Sequence, residues 1–315
     1  MKNAIMKSLN FGVEIEFTGI TRSKAANIVS LVLASTSYFA GGTYDAYGTK
    51  DSQGREWKVM HDGSIKAERK FKNGNRKSTS KTEYKCELVT PILQYSDIET
   101  LQMIIRELRH NGAVTNTSCG IHIHVGAEKF EPVHLTNLCK IFYSQEDLIY
   151  KAIECDAFHR NMHYCKKTDN GLITALKTHN KTKEDIHLAW YGDNFAHNNH
   201  YDDSRYHGLN LHAYFTKGTV EFRCFNSELH AGKVKAYIQL CLAMAQQALT
   251  QKRAKAEKKE WENEKYAFRC WLLRLGLIGE EFATCRKHLL KNLEGCAAWK
   301  GGKEQAQAHQ QAQAA

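Results

Sequence analysis

The stretch FGVEIEF, residues 11–17, decides the fold. In a β-strand, residues i and i+2 point to the same face, roughly 6–7 Å apart along it. Val13, Ile15 and Phe17 therefore share an apolar face, and Glu14 and Glu16 share the other. Glutamates are almost never fully buried without a partner, and an uncompensated charge in a strand interior is costly. Two carboxylates in an otherwise core-forming strand imply that something cationic meets them.

The same construction recurs further along the chain. CGIHIHV (119–125) sets Ile121, Ile123 and Val125 against His122 and His124. GTVEFRCF (218–225) sets Val220, Phe222 and Cys224 against Glu221 and Arg223. An E-x-E alone is usually a solvated strand face, and an H-x-H alone is only sometimes a metal site. Three such segments together describe a sheet with one face packed on helices and one lined by Glu, His and Arg. A plain solvent-facing sheet would carry Thr, Lys and Ser there. YKCELVTPIL (84–93) adds Glu87 at the end of an apolar strand stopped by Pro91. EWKVMHDGSI (56–65) ends in Asp62-Gly63-Ser64, a turn able to hold a carboxylate and a hydroxyl at the sheet edge.

Alternation predicts strands near 11–18, 37–47, 56–61, 84–90, 119–126, 208–215 and 218–225. Helical spacing predicts helices over 96–112, 134–158 and 231–250, with 251–266 as an exposed extension of the last. Ser96 with Glu99 is the expected cap of the first, and Asn111-Gly112 its stop. Strands and helices interleave irregularly, which predicts an α+β fold rather than a regular βαβ array. Residues 1–250 read as one domain carrying the polar sheet face. Residues 251–300 read as a helical appendage and 301–315 as a disordered, low-complexity tail.

Composition narrows the function. No run of about 18 apolar residues exists, so no membrane span is expected. The first strand begins by residue 11, which leaves no room for a signal peptide. Ten cysteines without paired spacing suit a reducing, cytoplasmic compartment. The net charge of +10 implies an anionic partner, either nucleic acid or a phosphorylated or acidic substrate. The segment 66–85 carries eight Lys and Arg against two Glu, hence +6 of that charge, in a stretch whose Asn, Gly and Ser predict a long loop or hairpin tip. Oligomeric state is not legible.

A Glu-rich face with histidine suits Mg²⁺ or Mn²⁺, which prefer carboxylate oxygen. Zinc more often draws on Cys or three His. Several carboxylates with room for two ions point to charge neutralisation on a polyphosphate. Arg223 adds a fixed cation suited to a transferring phosphoryl group. Neither a P-loop nor a Rossmann fingerprint is present, so phosphates would be held by metals and side chains.

FGVEIEF, the W-x-x-x-x-D-x-S of WKVMHDGS (57–64), the E-x-x-[ST]-P of ELVTP (87–91), CGIHIHV, RYHGLNL (205–211) and GTVEFRCF occur in this order over roughly residues 10–250. Together they resemble the amidoligases of the carboxylate–amine ligase superfamily, which includes glutamine synthetase and glutamate–cysteine ligase. The resemblance implies an antiparallel, glutamine-synthetase-like catalytic sheet with helices packed on one face and an open concave active-site face. It implies ATP- and Mg²⁺- (or Mn²⁺-) dependent joining of a small-molecule or peptide carboxylate to an amine through an acyl phosphate. Glu14, Glu16, Glu87, His122 and Glu221 would be metal ligands, and His124 a nucleotide or metal contact. Arg223 would be the phosphate cation. Arg205 and Asn210 would contact phosphate or substrate, and Arg160, in RNMHYCKK (160–167), would serve a substrate or nucleotide loop. Asp62 and Ser64 would receive the amine.

Other readings compete. HIHVGAE (122–128) has the H-x-H-x-x-x-E spacing of a cupin first motif, but no Gly/Pro-rich second motif with a His follows. Nucleic-acid binding fits the charge. Yet the aromatic segment HLAWYGDNFAHNNHYDD (187–203) carries acids and no Lys or Arg, and the basic segment has only Phe71 and Tyr84 for stacking. Cys119 as a nucleophile lacks an orienting third group. Cys155, His159 and His163 fall on one helix face with Cys165 nearby, spacing that suits either a zinc site or a partly exposed helix end.

Overall fold

FGVEIEF forms β1 (Phe11–Phe17), an interior strand of the main sheet. The computed structural model describes residues 3–155, 163–192, 198–199 and 201–301. His159, Arg160 and the tail from 302 onward lie outside the described residues. The other strands are β2 (Ser37–Gly41), β3 (Ala46–Lys50), β4 (Glu56–Met60), β5 (Glu68–Lys70), β6 (Arg76–Ser78), β7 (Cys86–Val89), β8 (Gly120–Gly126), β9 (Leu209–Asn210) and β10 (Thr219–Asn226). Eight of them form an antiparallel sheet in the order β2-β3-β4-β7-β1-β8-β10-β9, and β5 pairs with β6 in a separate hairpin. The mixed α/β class with a large antiparallel sheet is as expected.

The apolar face of the sheet is buried. Val13, Ile15, Phe17, Leu88, Ile121, Ile123, Val220 and Phe222 join one hydrophobic core with the helices Arg22–Val32, Ile98–His110, Pro132–Ala152 and Ala231–Thr250. Register does the rest. Glu16 lies opposite Glu87, Glu14 opposite His122, His124 opposite Glu221, and Glu221 opposite Asn210. Cross-strand partners stand only about 4.5–5.5 Å apart, so five strands deliver their polar residues to one patch.

Two irregularities shape that patch. Between the pairs Glu14–Val89 and Phe11–Leu93, β1 holds Gly12 and Val13 while the segment opposite holds Thr90, Pro91 and Ile92. This one-residue excess is a bulge. Pro91 has no N–H to give. Thr90 closes the gap, its hydroxyl accepting the Val13 N–H at 2.9 Å. A second bulge lies in β10 between Phe222 and Phe225 and lets both Cys224 and Phe225 reach the core.

Four sequence expectations are corrected. The single strand over 37–47 is two, because Gly41, Gly42 and Asp45 adopt positive φ (69°, 76° and 42°) and turn the chain back. The strand over 208–215 ends at Asn210, whose Oδ1 accepts the His212 N–H at 2.7 Å in a side-chain turn that leads into the helix His212–Lys217. The helical extension over 251–266 does not form. Buried Asn137 accepts the Ala254 N–H (2.8 Å) and donates to the Gln251 carbonyl (2.7 Å), holding that segment out of helix. Ser96 and Glu99 do not cap 98–110. Gln94 and Asp97 form a reciprocal box one turn earlier, and Asp97 is further gripped by Arg55 at 2.7 and 3.0 Å.

Beyond residue 250, the helices Glu264–Arg274 and Ala283–Leu290 pack Phe268, Leu272 and Leu289 into the same core, joined by Phe282 from the turn between them. Gln246 accepts the Met6 N–H at 3.0 Å, and Cys285 bonds the Ala236 carbonyl at 3.6 Å. No described helix is long and apolar enough to cross a membrane.

Candidate active site

The polar face of the sheet floors a cleft of about 490 Å³. Glu14, Glu16, Glu87, His122 and Arg223 line it from β1, β7, β8 and β10, with Asp62 and Ser64 on the turn after β4. Three overlapping sets of side chains bring their donor atoms within 4.8 Å of one another: Glu14, His124 and Glu221; Glu14, Glu87 and His122; and Glu16, Asp62 and Glu87. Glu14 belongs to the first two sets and Glu87 to the last two. Among the described residues, no other group of three His, Cys, Asp or Glu comes so close.

Several of these donors are held by neighbours. Glu221, buried, accepts from Asn210 Nδ2 at 2.6 Å and from Arg223 Nη1 at 2.5 Å. Glu16 accepts the Gly120 N–H at 2.6 Å. His122 Nδ1 lies 3.1 Å from Glu14. His124 Nδ1 lies 3.0 Å from the Thr219 hydroxyl, and its Nε2 is buried with no hydrogen-bond partner, 3.4 Å from Glu14 and 3.7 Å from Glu221. A ring fixed through one nitrogen, with the other aimed between two carboxylates, is the posture of a metal-ligating histidine. The donor set is oxygen-rich with imidazole, the chemistry of Mg²⁺ or Mn²⁺.

Electrostatics point the same way. Burial, then the carboxylates of Glu14, Glu16 and Asp62, hold the Glu87 carboxyl well above the ordinary range. Burial would also raise Glu221, but Arg223 and the two histidines outweigh it and bring it down to about 2. Glu14 is likewise held well below the usual value, with burial opposed by His124, His122 and Lys217. Burial and then Arg223 push His122 down to about 4, so at neutral pH its ring is uncharged. The His122–Glu14 contact is thus a hydrogen bond from a neutral N–H. A cation placed among these carboxylates would relieve the crowding that raises the Glu87 carboxyl.

The sequence-derived residues distribute unevenly. Ser64 donates from both N–H and hydroxyl to Asp62 Oδ1, at 2.7 and 2.5 Å, so the pair stands as one unit on the rim. Arg205 lies at the mouth, its guanidinium 5.6 Å from the rings of Tyr201 and Tyr206. Asn210 lines neither cleft, being engaged with Glu221 and His212. Glu128, the cupin-spaced acid, is exposed and outside every donor set. Cys119 is buried against Asn116. Cys155 and Cys165 meet at 3.5 Å, whereas exposed His163 lies against Tyr164 and joins none of the donor sets.

Several lining residues escaped the sequence reading. Lys217 stands 3.5 Å from Glu14. Tyr44, Tyr164, Tyr201 and Tyr206 wall the mouth, and the Tyr44 and Tyr201 hydroxyls meet at 2.7 Å. Thr219 shares the i, i+2 parity of Glu221 and Arg223, a signal already present in the sequence. The tyrosines come from separate segments and leave no such signal. A second cleft of about 230 Å³ opens at the β7 bulge, lined by Gly12, Thr90, Pro91, His124, Gly126 and Thr219 among others. Glu14 and Lys217 line both clefts.

No curated protein matches the chain. Among solved structures it is similar to a bifunctional glutathione synthetase from Pasteurella multocida, with a TM-score of 0.42 and 12% identity. That similarity covers 98% of this chain and 50% of the other, so the chain spans about half of that protein's length. A family profile described as "Putative amidoligase enzyme" matches residues 7–245, from just before β1 into the helix that follows β10. The match takes in every strand that supplies the cleft, and the chain belongs to this amidoligase family.

Proposed function

We propose that the protein is an ATP-dependent carboxylate–amine ligase with a glutamine-synthetase-like catalytic sheet. The observation that carries the reading is the run of three overlapping donor sets across four strands, flanked by Arg223 and Lys217. Glu14, Glu16, Glu87, His122, His124 and Glu221 would hold Mg²⁺ or Mn²⁺, which when bound offsets charge on the phosphates of ATP. Nucleotide and acceptor would enter from the two clefts that meet at Glu14.

In the first step a carboxylate oxygen of the acceptor attacks the γ-phosphorus of ATP, and ADP leaves with the bridging oxygen. Arg223 is locked by Glu221, so its fixed charge faces the phosphoryl group without reorganisation. Lys217 reaches the same space from the wall between the clefts. In the second step an amine attacks the acyl carbon, phosphate departs, and the amine proton passes to Asp62, which Ser64 holds toward the rim. Arg205 and the tyrosines orient the acceptor at the mouth.

The test is release of ADP by the purified chain with Mg²⁺ across a panel of carboxylic acids and amines, with Mg²⁺-dependent ATP binding measured alongside. Glu14→Gln and Glu221→Gln should each abolish that binding. Native-like, metal-dependent nucleotide affinity in both variants would refute the reading.

A further inference from the structure

The basic segment is not a loose loop. The β5–β6 hairpin is fastened to the end of β1. Gly19 N–H donates to the Glu68 carbonyl at 3.0 Å and Lys70 N–H to the Gly19 carbonyl at 3.2 Å, while Thr18 hydroxyl bonds Glu68 both ways. Its returning leg is clamped by buried Arg22, which donates to the carbonyls of Thr82 and Lys85 at 2.5 and 3.2 Å. Glu68 is turned inward to Arg76 and Asn116. That leaves Lys66, Lys70, Lys72, Lys77 and Lys81 with no carboxylate partner among the described residues, and all but half-buried Lys70 are exposed.

This arm joins the rim of the candidate active site. Lys66 N–H donates to Ser118 Oγ at 2.9 Å, and Lys85 Nζ donates to the Gly63 carbonyl at 2.7 Å. Ser118 and Gly63 both line the cleft, beside Asp62 and Ser64. An extended chain rises roughly 3.3 Å per residue, so the arm carries its charge on the order of 20 Å from Lys66 to Lys72.

We infer that the hairpin is a docking arm for an acidic polypeptide, which it feeds toward the cleft so that one of its carboxylates becomes the activated group. The choice of carboxylate rests on the ligase reading, and the docking is independent of it. A small acid would reach one end of the arm, whereas a chain bearing several carboxylates meets all of it. A nucleic acid would seek rings to stack on. Between Lys66 and Lys81 the one aromatic ring is Phe71, exposed and with the Arg69 guanidinium 5.1 Å from its centre, so a strand of bases would find no row of rings there.

The test is fluorescence anisotropy of the full chain, without metal or nucleotide, using a labelled hexaglutamate peptide. Hexaglutamine and a six-nucleotide oligothymidylate are the comparisons. Hexaglutamate should bind, weaken steeply as salt rises, and exceed both comparisons. Replacing Lys70, Lys72, Lys77 and Lys81 together by Ser should weaken it about ten-fold or more, from the loss of four surface ion pairs. Metal-dependent ATP binding of that variant should match the native chain, which reports that the site is intact. Unchanged hexaglutamate affinity in the variant, tighter binding of the oligonucleotide, or no binding of hexaglutamate would each overturn the arm. Hexaglutamate captured by the arm, with no ADP released for any acid and amine, would leave the arm standing and remove the ligase reading.

Discussion

Glu221 has one oxygen on Asn210 and the other on Arg223, so its position depends on an amide that never enters the cleft. Asn210→Ala should leave the circular dichroism spectrum unchanged and lower Mn²⁺ affinity about ten-fold or more, as loss of a ligand's supporting hydrogen bond does elsewhere. Calorimetric titration with Mn²⁺ checks this, and equal affinity would show that Asn210 supports only the backbone. Glu146 is a different case. It is fully buried on the helix Pro132–Ala152, accepts the Thr168 N–H, and lies 3.6 Å from Lys258. Burial raises its carboxyl to about 7, against the pull of Lys258. A glutamate in the unfolded chain titrates near 4.3. The folded state therefore binds the proton more tightly, and this stability is present at low pH and lost as pH rises through about 7. Glu146→Gln should gain on the native chain between about pH 5 and 8, by on the order of 1–3 kcal/mol in urea melts. A constant difference across that range would mean that Glu146 is not the titrating group.

At the scale of elements, one side chain decides where the longest C-terminal helix stops. Asn137→Ala removes two backbone partners from Gln251 and Ala254. The expected loss is about 2–3 kcal/mol in denaturant unfolding, since buried backbone groups are left unpaired. Increased proteolysis within 251–263 should accompany it. Such long-range clamps explain what the sequence could and could not convey. FGVEIEF, CGIHIHV and GTVEFRCF were legible because burial and pleat both impose a period of two, so site and core are written in alternate letters. RYHGLNL misled because Leu209 and Leu211 alternate like a strand, while the Asn210 side chain turns the backbone out of the strand ahead of a helix. The charged run 251–263 looked helical by composition, and nothing local announced Asn137. The tyrosines at the mouth were invisible for a related reason: they meet only in three dimensions, from segments without any common period.

For the molecule as a whole, the stretch after residue 250 is a question of core integrity. Phe268, Trp271, Leu272, Phe282 and Leu289 are all buried, and Gln246 ties the end of the helix Ala231–Thr250 to Met6 and Leu275. A chain ending at residue 250 should expose that helix along its length and aggregate on expression, because an apolar surface of that kind drives association. A monodisperse, cooperatively melting 1–250 fragment would show instead that the earlier residues fold alone, as the sequence division into 1–250 and 251–300 anticipates.

Glu14 and Lys217 form the party wall between two rooms. A guest on one side alters the charge and posture of the very groups that greet a guest on the other. By thermodynamic reciprocity, whatever factor the first arrival applies to the second is returned unchanged when the order is reversed. Saturation curves for either guest should then shift with the concentration of its counterpart, and the two shifts should be equal in size.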